Sequence, residues 1–139
     1  MLSEAIVDWN MDPFFVEVNY FTDTILLCLA KHISTRTVIL SSFSPDICIL
    51  LTRKQSRWPV AFLTDSGCSP QADVRATSVQ EAVNFAKSWD LDGVVCASDP
   101  YIFAPHLVES VKQKGLVTAT YGALNDDVKG VTVSSSHDL

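Results

Sequence analysis

Pro59-Val60-Ala61-Phe62-Leu63-Thr64, then Ser78-Val79-Gln80-Glu81-Ala82-Val83-Asn84-Phe85-Ala86, then Gly93-Val94-Val95-Cys96-Ala97, decide the fold between them. The first and last are short apolar runs bounded by turn residues, the pattern of strands covered on both faces. The middle one is helical. Ser78 and Glu81 stand at capping-box spacing, where their side chains satisfy N–H groups that a first turn leaves free. Ala82, Val83, Phe85, Ala86 and Trp89 give that helix its apolar face. Strand, helix and strand in this order predict a parallel βαβ unit.

The pattern extends both ways. Residues 1–12 read as a polar lead-in, and Asp12-Pro13 predicts a helix start. Phe14, Val18, Phe21, Ile25, Cys28 and His32 mark one face of that helix to about Ile33. Glu17 falls opposite the stripe. Thr37 to Ser42 predicts a strand, and Ser44-Pro45-Asp46 opens a helix to about Gln55. A loop runs from Asp65 to Asp73. Beyond the central unit, Pro105 to Lys114 predicts a helix stopped by Gly115, and Leu116 to Tyr121 a fourth strand. Lys129 to Leu139 reads as a short strand and a frayed end. The fold class is therefore α/β with parallel strands.

Composition narrows the function classes. At 139 residues the chain holds one domain. It is 47% hydrophobic and 19% charged with mean hydropathy +0.21, which excludes disorder and implies apolar surface awaiting cover. A net charge of −6 and ten scattered basic residues speak against nucleic acid. Arg53-Lys54 with Arg57 suits a helix C-terminus. No apolar run reaches the roughly 18–20 residues of a membrane span, and the start lacks a basic secretory n-region. Cys28, Cys48, Cys68 and Cys96 contain no C-x-x-C pair. Cys28, Cys48 and Cys96 read as small core residues, and reduced thiols point to the cytoplasm.

In parallel α/β folds ligands sit at the C-terminal strand ends. Here these are Ser41-Ser42-Phe43, Leu63-Thr64-Asp65, Ala97-Ser98-Asp99 and Tyr121-Gly122 through Asn125. They can line a polar pocket but form a poor catalytic kit. Asp46 and Asp99 read as helix-start residues; Asp65 sits on a strand end before a glycine-containing loop, where facing the pocket is the minority reading. Asp126-Asp127 reads as a loop, since a metal needs ligands from several elements. His32, His106 and His137 lie on helix ends or in the tail, where no acid–base pair forms.

Four ordered strings resemble one family. They are SSFSPDICILL (Ser41 to Leu51), PVAFLTDSG (Pro59 to Gly67), DVRATSVQEAVNFAKSWDLDGVV (Asp73 to Val95) and KGLVTATYGALN (Lys114 to Asn125). Together they resemble the glycerophosphodiester phosphodiesterase domain, in the fungal branch that acts on glycerophosphocholine. The resemblance implies an incomplete TIM-type (β/α) barrel, the C-terminal half of a phospholipase-C-like phosphodiesterase barrel. A complete barrel takes roughly 250 residues. Residues 1–127 would be that portion and 128–139 a divergent tail.

The family's chemistry implies hydrolysis to glycerol 3-phosphate and an alcohol such as choline. It uses a divalent metal, magnesium or calcium, held by carboxylates, and two histidines that move protons. Its motifs, an H-R-G strand, a Glu-Asp pair, an H-D motif and a Glu-x-Lys strand, all align upstream of Met1. Glu17-Val18-Asn19 is no substitute, being placed on a helix. The chain is therefore expected to carry no catalytic residue and to bind no metal alone. Ser42 and Phe43, with Tyr121 and Asn125, match positions that line the family's substrate pocket. An inactive fragment is the leading expectation. A non-catalytic regulatory barrel in phosphate signalling, of the cyclin-dependent-kinase-inhibitor type, is one alternative. Self-association through open barrel edges is the other.

Overall fold

The computed structural model describes residues 16–100 and 106–122. The chain divides into two compact units, Met1–Ser34 and Thr35–Leu139. The described residues of the first include the helix α1 (Val18–His32). Its N-cap is Glu17, whose carboxylate accepts from the N–H groups of Asn19 and Tyr20 at 2.9 and 2.8 Å. The helix thus begins after the Asp12-Pro13 start expected from sequence, which lies outside the described residues. Glu17 is a cap rather than a mid-helix residue. Cys28 is exposed, not a core residue, and its thiol lies 3.7 Å from His32 Nδ1 one turn on.

The second unit is a four-stranded parallel sheet with helices between the strands. In chain order it runs β1 (Leu40–Ser42), α2 (Pro45–Lys54), β2 (Val60–Thr64) and a 3-10 turn (Val74–Ala76). It continues through α3 (Val79–Ser88), β3 (Gly93–Ala97), α4 (His106–Gln113) and β4 (Val117–Tyr121). Spatial order equals sequence order, β1-β2-β3-β4. An unreversed order is what an arc of a (β/α) barrel has; doubly wound sheets reverse at a switch point.

Local chemistry sets the boundaries. Ser44 caps α2 and Ser78 caps α3, each hydroxyl accepting the N–H three residues on. Gly115, at φ +74°, ends α4 in the left-handed conformation that glycine adopts without strain. The first strand is shorter than Thr37 to Ser42. Pairing begins at Leu40↔Val60, because the residue before Val60 is a proline with no N–H to donate. Upstream of it, Gln55 gathers the Arg57 and Trp58 backbone into a loop.

One sheet face is covered and the other is not. Phe62 and Val94 share a row with 0% and 1% of their surface exposed. Phe62 meets Phe85 of α3 edge to face at 5.0 Å between centroids. That row, with Ala82, Val83 and Ala86, is the core. On the opposite face the Leu63–Val95–Ala119 row is incompletely covered. A hollow of about 150 Å³ there is lined by Ile39, Ala61, Val95, Val117 and Ala119. In a closed barrel this face points inward.

Trp89 departs from its expected place on α3. It caps the helix C-terminus, is 37% exposed, and carries the Arg53 guanidinium 5.6 Å above its ring. Arg75 links two elements. It pairs with Asp73 and with Asp46 of α2, at 2.6 and 2.9 Å. Asp46 is thus an ion-pair partner, and the cap of α2 is Ser44.

Candidate functional site

The parallel register brings the four C-terminal strand ends to one rim. Ser42 stands beside Phe62, Thr64 beside Cys96, and Ala97 beside Tyr121. Each end then turns differently. At the first, Ser42 Oγ accepts the Ser44 N–H at 3.0 Å, a tight turn that leads into α2. Between those serines Phe43 is pushed outward and is 60% exposed.

At the second end the chain makes a loop around Asp65. Its carboxylate accepts the N–H groups of Gly67 and Ser69 at 3.0 and 3.1 Å, the Ser69 hydroxyl, and Gln71 Nε2 at 2.8 Å. Gly67 is required there. Its φ is +81°, and a Cβ would meet the Thr77 carbonyl oxygen at 2.1 Å. Partial burial pushes the Asp65 pKa up, but these hydrogen bonds outweigh it and hold the carboxyl below its usual range.

At the third and fourth ends the Ser98 N–H donates to the Tyr121 carbonyl at 2.8 Å. The Tyr121 hydroxyl donates to the Thr64 carbonyl at 3.2 Å, tying β4 to β2 across β3. Gly122 lies so close that an added Cβ would sit 3.1 Å from Ser98 Oγ. Ser98 is 1% exposed, and its hydroxyl has no hydrogen-bond partner among the described residues.

Two of the four pocket residues expected from sequence are brought together. The rings of Phe43 and Tyr121 stand at 89°, with centroids 6.3 Å apart. Ser42 is half-buried beside them and holds the helix start. Asn125 lies outside the described residues. Asp65 is bound to its own loop, but its negative charge is felt at this rim: burial first, then that charge, push the Tyr121 phenol up. Sequence reasoning missed Cys68. Its thiol is pushed up by partial desolvation, then by the carboxylates of Asp99 and Asp65. A loop cysteine three residues past Asp65 carries no signal that it will feel the charge of Asp99 from another strand end.

Among the described residues no three of His, Cys, Asp and Glu gather into a cation-holding group. No helix among them is long and apolar enough to cross a membrane. The arrangement provides an aromatic, acidic rim that can bind and orient a polar molecule.

Comparisons with known proteins identify the family. The family model for the glycerophosphoryl diester phosphodiesterase family matches residues 1–136. The glycerophosphocholine phosphodiesterase of Schizosaccharomyces pombe is 46% identical over 131 residues, covering 94% of this chain and 11% of the relative. That of Eremothecium gossypii is 43% identical over 127 residues, covering 91% and 10%. The human glycerophosphocholine phosphodiesterase is 31% identical over 127 residues, covering 89% and 19%. The chain thus spans about a tenth of the fungal relatives' length. No solved structure matches. These relatives carry phosphodiesterase names, so a regulatory barrel is not favoured. The chain belongs to the glycerophosphoryl diester phosphodiesterase family.

Proposed function

We propose that this chain is the C-terminal portion of a (β/α) barrel that hydrolyses glycerophosphocholine to glycerol 3-phosphate and choline. In this reading it supplies the substrate-binding rim, and the hydrolytic groups come from the other barrel half. One observation carries it: four consecutive parallel strands present Phe43, Tyr121, Asp65 and Asp99 at the ligand-binding end. The family match over residues 1–136 supplies the reaction class.

A divalent metal, magnesium or calcium, belongs in this reading to the complete domain, where it would polarise the phosphoryl group. The described residues alone do not fit one. Asp65 spends its carboxylate on its own loop, and no cation-holding group forms around it. The chain's own contribution is therefore binding and orientation. Ser42, Phe43, Tyr121 and Asn125 line the substrate pocket. We place the protein in the cytoplasm, where the thiols of Cys28, Cys48, Cys68 and Cys96 stay reduced. Alone, the chain self-associates through its open strand edges, a tendency supported by Ile39 and Val117 at 64% and 68% exposure. Light scattering that finds only a monomer removes this last point.

The test of the main reading is choline release from glycerophosphocholine with magnesium or calcium supplied. The purified chain shows none. Turnover by the chain alone that a chelator abolishes would sink the fragment reading. DNA upstream that encodes H-R-G and Glu-x-Lys strands supports it, and an intact upstream barrel half lacking them sinks the enzymatic reading.

A further inference from the structure

The loop from Asp65 to Asp73 is built as a latch. Its start is strained. Ser66 sits at φ +63°, a left-handed conformation that a residue with a side chain adopts at a cost. The Ser66 hydroxyl is buried and has no hydrogen-bond partner among the described residues. What holds this turn closed is the Asp65 carboxylate, which accepts four hydrogen bonds. Two of them come from Ser69, one from its N–H and one from its hydroxyl. Gly67 and Gln71 supply the others.

Ser69 is followed by Pro70, and the chain has one other Ser-Pro pair, Ser44-Pro45. The structure separates the two. Ser44 caps α2 with its hydroxyl, and Pro45 is buried in the first helical turn. Ser69-Pro70 lies instead within six consecutive exposed residues, 67–72, that form neither helix nor strand. A protein kinase takes its acceptor segment extended, and an exposed loop supplies that without unfolding a helix. Proline after the acceptor brings no backbone N–H into the kinase groove, which suits the proline-directed class. The Ser69 hydroxyl is bonded to Asp65, but on an exposed loop such a bond opens readily.

We propose that Ser69 is the acceptor of a proline-directed protein kinase and that its phosphorylation unlatches the 65–73 loop. In the transfer, Ser69 Oγ attacks the γ-phosphorus of a nucleoside triphosphate. The bond to the bridging β–γ oxygen breaks, the nucleoside diphosphate leaves, and the hydroxyl proton passes to the kinase's base. The product lacks the O–H that donated to Asp65 and sets a charge of about −1.5 to −2 beside that carboxylate. Repulsion then opposes the remaining bonds, and Ser66 relaxes out of its left-handed conformation. The loop leads directly from the end of β2, and the Asp65 charge is felt at Tyr121, so the change is delivered to the rim. Unlatching stands apart from the proposed function; only its consequence for a substrate at the rim rests on that reading.

The test treats the full 139-residue chain with ATP, magnesium and a purified mitogen-activated protein kinase, and maps the phosphate by mass spectrometry. Ser69 is the main acceptor, Ser44 takes up roughly tenfold less, and Ser69→Ala abolishes the main incorporation. Amide exchange followed by NMR then reads the latch. On phosphorylation the Gly67 and Ser69 N–H groups exchange roughly tenfold faster, while those of α3 keep their rates. Ser69→Ala removes the hydroxyl without adding charge and accelerates the Gly67 N–H by no more than about threefold. In Asp65→Asn, which lacks the opposing carboxylate charge, phosphorylation accelerates it by less than about twofold. No phosphate on Ser69, or equal uptake by Ser44, overturns the acceptor assignment. Unchanged Gly67 and Ser69 exchange in the phosphorylated chain overturns the latch. So does equal acceleration in α3, which would mean that the whole unit opens. None of these readings involves choline release, so failure of the proposed hydrolysis is separately visible.

Discussion

The two ends of the sheet use their polar residues in opposite ways. At the N-terminal end a hollow of about 290 Å³ is lined by Gln55, Arg57, Trp58, Asp90 and Asp92, among others. Its main polar groups are spent on the fold. Gln55 makes three hydrogen bonds to the Arg57 and Trp58 backbone, and Asp92 Oδ2 accepts the Val60 N–H at 2.8 Å. Arg57 lies over Trp58 at 5.2 Å. At the C-terminal end, by contrast, the Phe43 ring stands exposed and the buried Ser98 hydroxyl has no hydrogen-bond partner among the described residues. Volume alone would select the wrong end. What separates a site from a structural joint is whether its polar and aromatic groups are already engaged.

The strongest way to break this comparison is to remove Asp92. Asp92→Ala leaves the N–H of Val60, a residue 1% exposed, without its acceptor at the start of β2. An unsatisfied buried donor costs about 1–3 kcal/mol, so the urea midpoint falls clearly. Asp92→Asn keeps an acceptor and restores most of the loss. Gln55→Ala comes next. It releases the α2–β2 loop, whose anchors are partly exposed, at a cost of about 1 kcal/mol. If either variant leaves the urea midpoint unmoved, the N-terminal end is not a structural joint.

The same substitution logic predicts the reverse at the other rim. Phe43→Leu removes a ring that is mostly in water and changes stability by no more than about 0.5 kcal/mol. Thermal melting reads this directly. A large loss would make Phe43 a packing residue and erase the contrast between the ends.

Much of this architecture was legible because it is local. Capping serines at 44 and 78, the stop at Gly115 and the apolar runs of β2, β3 and β4 announce themselves within a few residues. The exceptions are pairings across long separations. Leu40 pairs beside Pro59, which shortens β1. Arg75 reaches Asp46, and Tyr121 reaches the Thr64 carbonyl, over 29 and 57 residues of sequence. No periodicity encodes such partners. The rim was legible to the same depth: the strand ends were identifiable, but not that the rings of Phe43 and Tyr121 meet. Trp89 shows the limit of periodicity. It falls at a helical step, yet the helix ends before it and Arg53 takes the ring.

The smallest expected effect is the pH dependence carried by Asp65, and its sign follows from the loop. Hydrogen bonds from Ser69, Gly67 and Gln71 favour the ionised carboxylate, so its folded-state value lies below that of the unfolded chain. A group depressed in this way stabilises the fold above the unfolded value, about 3.9 for Asp. That stabilisation disappears as pH falls through the folded-state value. The stability gap between the unmodified chain and Asp65→Asn is therefore full at pH 7 and closes on acidification below about pH 4. Solvent around the loop keeps the gap small. Urea midpoints of both chains across this range measure it. A gap that stays constant with pH would mean that the loop binds the side chain's shape rather than its charge.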